Sequence, residues 1–146
     1  MSHVATVDVH ITDLAALKAA CEALGVEFVE GKQTFRWYGR SVGDAPLPEG
    51  FAAQDMGKCE HCLRLPGNTN AYEVGLVRRR DGKPGYQLMY DEWQGGFGLE
   101  AVIGQKAGRL KQQYAAQVAV RQMRKKGYRV TQITSENGAI RLTCTR

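Results

Sequence analysis

The sequence predicts an α+β fold: a single domain in which a mostly antiparallel sheet carries two helices on one face. Two kinds of apolar periodicity predict it. Residues 3 to 11 alternate apolar and polar side chains with the period of a half-buried strand. Leu14, Leu17, Cys21 and Leu24 instead recur at helical spacing. Glycine-rich turns separate further short apolar runs, which is typical of antiparallel hairpins.

The first helix has recognisable ends. Thr12 or Asp13 caps its start and Gly25 follows its end. Residues 26–30 and 34–38 then flank a turn at Gly31 and are expected to form a hairpin. Residues 39 to 57 contain four glycines and two prolines and are expected to be an irregular loop. A loop of this length is often functional.

Two more hairpins and one long helix are expected in the second half. Residues 72–79 and 86–91 flank a turn containing Asp81-Gly82. A helix is predicted from about Leu99 to Lys126, ending at Gly127.

The last hairpin pairs residues 128–134 with residues 139–145 around Asn137-Gly138. Alternation predicts that Ile140, Leu142 and Cys144 point inward. Because the order helix, glycine, strand, turn, strand occurs near both ends, the pattern leaves open a duplicated β-α-β-β unit. Two such units commonly build one antiparallel sheet with both helices on one face.

The basic residues are concentrated in the last third of the chain. Residues 101 to 146 carry ten of the twenty Lys and Arg and one acid, Glu136, a net charge of +9. Residues 1 to 100 carry ten basic and fourteen acidic side chains, a net charge of −4. Clustered positive charge favours an anionic partner. The predicted binding residues are Lys106, Arg109, Lys111, Arg121, Arg124, Lys125 and Arg129 on the helix and after it, with Arg78 and Arg80 on the neighbouring hairpin.

Three interpretations of this surface remain open: a solvated face with no dedicated partner, a nucleic-acid site, and a site for an acidic protein. Aromatic neighbours of the kind that stack single-stranded bases are present in Tyr86, Tyr90, Trp93 and Tyr128. No helix-turn-helix or RNA-recognition signature accompanies them. We therefore expect a non-enzymatic binding or adaptor protein, with nucleic acid and acidic protein as rival partners.

A weaker motif could bind metal. Cys59 and Cys62 have the spacing of half a zinc knuckle, and His61 lies between them as a third candidate ligand. A second Cys-x-x-Cys pair is missing, so no cofactor is expected, with zinc or a redox pair as alternatives.

An enzyme is a further alternative. Asp91, Glu92 and His61 are the acid–histidine set that lies near predicted loops, and acid–base catalysis would require them to converge. The sequence has no nucleophile elbow, phosphate loop or dinucleotide fingerprint. It also has no apolar run of about 18 residues and no signal-peptide pattern at its start. We expect a cytoplasmic protein with reduced cysteines and no membrane partner.

Several short segments match a known family pattern: Met1-Ser2-His3-Val4, Tyr72-Glu73-Val74-Gly75, Asp91-Glu92-Trp93 after Tyr90, Gln113-Tyr114-Ala115 after Leu110, Lys126-Gly127-Tyr128, and Asn137-Gly138-Ala139-Ile140-Arg141-Leu142. Together they resemble the domain-of-unknown-function family numbered 1257, which has plastid, cyanobacterial, bacterial and phage members. The family supplies no activity, cofactor or catalytic residue. Its members are often encoded near an AAA-type ATPase and a ferredoxin-like protein, which implies an accessory role by protein–protein contact.

Overall fold

The computed structural model describes residues 2–40, 43, 45–136 and 139–146. Within them the elements follow in the order β1 (Val4–Ile11), α1 (Leu14–Leu24), β2 (Glu27–Val29), β3 (His61–Arg64), β4 (Val74–Arg78), β5 (Tyr86–Asp91), α2 (Leu99–Ile103), α3 (Gly108–Lys125), β6 (Arg129–Glu136) and β7 (Ala139–Thr145). The expected α+β class is confirmed.

In the described residues, β1 to β5 form one antiparallel sheet in the order β1-β5-β4-β3-β2. The predicted hairpin of β4 and β5 is confirmed, with Arg78 opposite Tyr86. The N-terminal strand pairs with β5, which places Val4 opposite Asp91. The sheet therefore runs from β1 at one edge to the short β2 at the other.

The sequence predicted the first helix correctly. The Asp13 carboxylate caps α1 by accepting a hydrogen bond from the Ala16 N–H at 3.0 Å. Gly25 ends the helix with a φ of 72°, in the left-handed region that favours glycine. Leu17 and Cys21 are fully buried on its inner face, as their spacing indicated.

The predicted hairpin after α1 is wrong. Strand β2 exists, but it pairs with β3, so that Phe28 lies opposite Leu63. Residues 34–38 are not a strand, because Thr34 makes only an isolated bridge to Lys58. The backbone of this segment bonds to residues outside β2, and the Arg36 N–H donates to the buried Glu73 carboxylate. These bonds lead the segment across the sheet instead of back along β2.

Both faces of the sheet are covered. Helices α1, α2 and α3 pack on one face, which confirms the predicted placement of the helices. The other face is covered by Phe35 of the predicted strand 34–38 and by the described part of residues 39 to 57, the irregular segment, whose Phe51 and Met56 are buried against the sheet. This segment contains one short 3-10 helix, Ala53–Asp55, among its described residues. The loop is thus part of a second apolar core.

The predicted continuous C-terminal helix is broken. Helix α2 ends at Ile103, and Gly104 turns the chain with a φ of 85°. A Cβ at Gly104 would lie 2.7 Å from the Arg109 backbone nitrogen, so the bend requires glycine. The bend lets Ile103 and Leu110 both reach the core. The predicted end of the helix is close to the observed one at Lys125.

Strands β6 and β7 pair as predicted, with Ile133 opposite Leu142, but they form a separate two-stranded sheet packed against α3. We call this pair the β-ribbon. The predicted Asn137-Gly138 turn lies outside the described residues. Ile140, Leu142 and Cys144 were expected in the core but are only half-buried, because the ribbon has α3 and not the main sheet behind it. Among the described residues the order β-α-β-β occurs twice, as β1-α1-β2-β3 and as β5, the C-terminal helices and β6-β7, but the two units do not build one sheet.

Candidate functional site

Several of the predicted binding cations are already occupied within the protein. The Lys106 ammonium forms an ion pair with Glu92 at 3.3 Å. The Arg109 guanidinium donates to the carbonyl oxygens of Ala101 and Val102 at 3.0 and 3.3 Å, which are the free acceptors at the end of α2. Lys106 and Arg109 therefore hold the bend between α2 and α3 together.

Arg121 joins the two long helices. Its Nε donates to the Asp13 carboxylate at 2.9 Å. The Ala16 N–H is the leading cause that lowers the pKa of Asp13, and Arg121 lowers the pKa further. The same carboxylate thus caps α1 and anchors α3, which gives Arg121 a structural role.

The hairpin cations are occupied as well. Arg78 pairs with Glu60 at 3.2 Å and lies over the Tyr86 ring. Arg80 pairs with Asp55 at 3.0 Å. Arg80 lies over Phe51 on the face covered by the irregular segment, whereas Tyr86, the ring beneath Arg78, packs in the helix-side core. Both arginines are thus engaged with carboxylates and rings of the protein.

The remaining predicted cations are Lys111, Arg124, Lys125 and Arg129. Lys111 is half-buried and lies 14 residues before Lys125, about 20 Å along the helix. The others are exposed and lie where α3 ends and the β-ribbon begins. With two further exposed cations they form a cluster that we call the basic end: Arg124, Lys125, Lys126, Arg129 and Arg146.

Among the side chains that the structure describes, no carboxylate forms an ion pair with a cation of the basic end. Arg124 and Lys125 lie in the last turn of α3, where positive charge also complements the helix dipole. Arg146 lies over the Tyr128 ring at 5.0 Å. The basic end is therefore the place where the positive charge of the C-terminal third remains available to a partner.

An apolar surface adjoins the basic end. Residues directly opposite each other in a ribbon project from the same face, as Val130 and Cys144 do, and also Ile133 and Leu142. Helix α3 covers this face only in part, because Leu142 and Cys144 are half-buried and Ile133 is 48% exposed. Sequence periodicity identified the alternation of β7 but not this exposure.

The aromatic side chains considered for base stacking do not form an exposed platform. Tyr86 and Tyr90 are buried in the main core, and the Tyr90 hydroxyl donates to Glu100 at 2.6 Å. Trp93 is half-buried with its ring edge-on to His3. Tyr128 is half-buried beneath Arg146.

The segment proposed to hold zinc has a different environment. Burial raises the pKa of the Cys59 thiol to about 11 and of the Cys62 thiol to about 12. Cys59 Sγ donates to the Lys32 carbonyl at 3.2 Å. The His61 Nδ1 accepts from the Gly31 N–H at 2.9 Å, so that nitrogen is occupied. The described residues contain no group of three or more potential ligands that could hold a metal ion.

The proposed acid–histidine set does not converge. Asp91 is fully buried and accepts backbone bonds from His3, Tyr38 and Trp93 at 2.9, 3.1 and 3.0 Å. His61 lies on β3, two strands from β5, which is about 10 Å across the sheet. Asp91 therefore fixes the end of β5, and His61 lies outside hydrogen-bond reach of it.

Comparison with protein families agrees with the resemblance in the sequence. A family model described as protein of unknown function, DUF1257, matches residues 20–143. The chain belongs to this family. No curated protein and no solved structure matches the chain significantly. In the described part of this DUF1257 member, no helix has both the length and the apolar character needed to cross a membrane.

Proposed function

We propose that this protein is a non-enzymatic adaptor that binds an acidic protein through the basic end and the neighbouring apolar face of the β-ribbon. One observation carries the proposal. The exposed cations of the basic end lack ion-pair partners among the described residues, and they adjoin an incompletely covered apolar face that exposes Ile133.

This combination suits a protein interface. Such interfaces commonly have an apolar centre and a polar rim that excludes water. Here Ile133, Ile140 and Leu142 supply the centre, and the cations at the end of α3, Arg124 and Lys125, supply the rim. Positive charge at the rim speeds the encounter with an acidic surface and fixes its orientation.

The same features favour protein over nucleic acid. A single-strand binder uses exposed aromatic rings as stacking platforms, and Tyr86 and Tyr90 are buried here. Tyr128, which adjoins the basic end, is half-buried beneath Arg146. The neighbouring apolar face of the β-ribbon offers aliphatic side chains instead. The family resemblance implies an AAA-type ATPase as one such protein partner, and its binding is tested by the experiment that follows.

The test is affinity capture of partners from nuclease-treated lysate of the source cells. The wild-type protein is compared with a variant in which Arg124 and Lys125 are replaced by Glu. The control replaces Arg40 and Lys83 by Glu, which changes the net charge by the same amount. Both residues are exposed and lie outside the basic end. We expect a protein that is recovered with wild type and control but lost with R124E/K125E.

Purified partner then permits a direct titration. Reversing two rim charges should weaken binding at least about tenfold, with most of the loss in the association rate. Recovery that depends on intact nucleic acid, or equal recovery by R124E/K125E and the control, would overturn the proposal.

A further inference from the structure

A cleft at the C-terminal end of β4 has the features of an anion site. It has a volume of about 210 Å³ and lies between the irregular segment and β4. Phe51 and Val77 form apolar walls, and Cys59 also lines the cleft. Three cations surround it: Lys58, Arg78 and Arg80.

The first arginine is held in place from two sides. Arg78 Nε donates to one Glu60 oxygen at 3.2 Å, and its guanidinium lies 4.4 Å from the centre of the Tyr86 ring. The Tyr86 hydroxyl donates to the other Glu60 oxygen at 2.9 Å. Glu60 therefore fixes both the arginine and the ring beneath it.

The second arginine repeats this arrangement. Arg80 Nη1 donates to Asp55 and to the Gly50 carbonyl, both at 3.0 Å, and its guanidinium lies 4.3 Å from the centre of the Phe51 ring. Asp55 also accepts from the Ala52 N–H at 2.8 Å. An arginine fixed by a carboxylate and a ring loses little freedom when it binds a ligand.

The donors of the cleft outnumber its acceptors. Each guanidinium has five N–H groups. Arg78 and Arg80 each use one nitrogen for the bonds described, whereas both carboxylates already accept from protein donors. The exposed Lys58 adds a further positive charge, which also acts on Asp55. An oxyanion in the cleft would accept hydrogen bonds from the remaining N–H groups of Arg78 and Arg80, next to the apolar side chains of Phe51 and Val77.

From this geometry we infer that the cleft binds a small organic anion: a phosphoryl or carboxylate head held by Arg78 and Arg80, with an apolar body against Phe51 and Val77. Forked guanidinium groups suit both kinds of head. The site is separate from the basic end and does not depend on the proposed adaptor function.

The experiment is a titration of isotope-labelled full-length protein with phenyl phosphate, benzoate and neutral benzyl alcohol, followed by amide NMR shifts up to about 10 mM ligand. We expect at least one of the two anions to give saturable shifts at Gly50, Asp55, Lys58 and residues 78–80. Benzyl alcohol should bind at least about tenfold more weakly, because it offers no charge to the guanidinium groups.

Three variants locate the site. R78Q/R80Q should weaken binding of the anion at least about tenfold. R64Q should leave it unchanged, because Arg64 is also paired with a carboxylate, that of Glu27, but lies outside the cleft. If R78Q/R80Q fails to fold, R78K and R80K retain the charge without the fork, and each should weaken binding severalfold.

The inference is overturned by the absence of saturable shifts with either anion, by shifts centred on the basic end, or by equal binding of benzyl alcohol. Unchanged affinity in R78Q/R80Q, or in both lysine variants, would contradict it equally.

Discussion

Arg121 donates to the carboxylate of Asp13 at 2.9 Å, and that carboxylate is also the N-cap of α1. One residue of the basic helix is thereby fixed to the N-terminal half of the domain, 108 residues away in sequence. Arg121 therefore has a structural role, whereas the cations at the end of α3, Arg124 and Lys125, remain available to a partner.

The shared role of Asp13 predicts an order of stabilities. D13A removes both the cap and the ion pair and should lower the free energy of unfolding by about 1.5 kcal/mol. D13N keeps a capping side chain, and R121A keeps the cap itself, so each should cost less than about 1 kcal/mol. Urea unfolding of the three variants and wild type measures these changes in the free energy of unfolding. Equal losses in D13A and D13N would show that the cap contributes nothing.

The break between α2 and α3 predicts opposite effects at two glycines. G104A should destabilise the protein by about 2 kcal/mol, because Gly104 has a positive φ and no space for a Cβ. G108A should stabilise it by up to about 1 kcal/mol, because Gly108 has helical dihedrals and open space around it. Thermal unfolding compares the pair. A stabilising G104A would indicate a continuous helix instead.

The buried Glu73 predicts a dependence of stability on pH. Burial alone would raise the pKa of Glu73, but the Arg36 N–H and the Lys32 ammonium outweigh burial and hold the pKa below its ordinary value of 4.5. A lowered pKa in the folded state stabilises the protein above the unfolded-state pKa, and this stabilisation is lost as the pH falls through the folded-state value.

E73Q should therefore lower the free energy of unfolding by about 2 kcal/mol at pH 7. The difference from wild type should shrink as the pH falls below 4.5, where the wild-type carboxylate becomes protonated. Urea unfolding at pH 7 and near pH 3 measures both values. The exposed Glu27, paired with Arg64, serves as the control, and E27Q should cost less. A pH-independent E73Q effect would contradict this account.

The buried thiols predict slow alkylation. With a pKa of about 11, Cys59 has roughly a hundredfold less thiolate at pH 8 than an ordinary cysteine. Cys62 has a still higher pKa and no exposed surface. Mass spectrometry after iodoacetamide treatment should find both unmodified in the native protein and modified in guanidinium. Fast native alkylation, or protection that appears only with added zinc, would revive the redox or metal interpretation.

Local signals in the sequence identified most elements. The Asp13 cap, the Gly25 stop and the alternation of β1 are determined by near neighbours in the chain, and so is the hairpin of β4 and β5. Their prediction required no knowledge of distant contacts.

Contacts distant in sequence account for the errors. Strand β2 pairs with β3 across more than thirty residues, whereas the turn at Gly31 suggested a local hairpin. Charge counting likewise identified the cations but not their partners, since Asp13 and Glu92 are remote from Arg121 or Lys106 in sequence. The basic end could be separated from the structural cations only once these partners were known.

The most direct measurement of the proposed function is site-specific photocrosslinking in source cells. A photoreactive phenylalanine derivative at Ile133, 48% exposed beside the basic end, is compared with one at Leu47, 41% exposed on the irregular segment. Our account predicts a specific crosslink from position 133 to a protein with an acidic surface, lost in R124E/K125E and absent from position 47. A crosslink of equal yield from both positions, or one that persists in R124E/K125E, would contradict it.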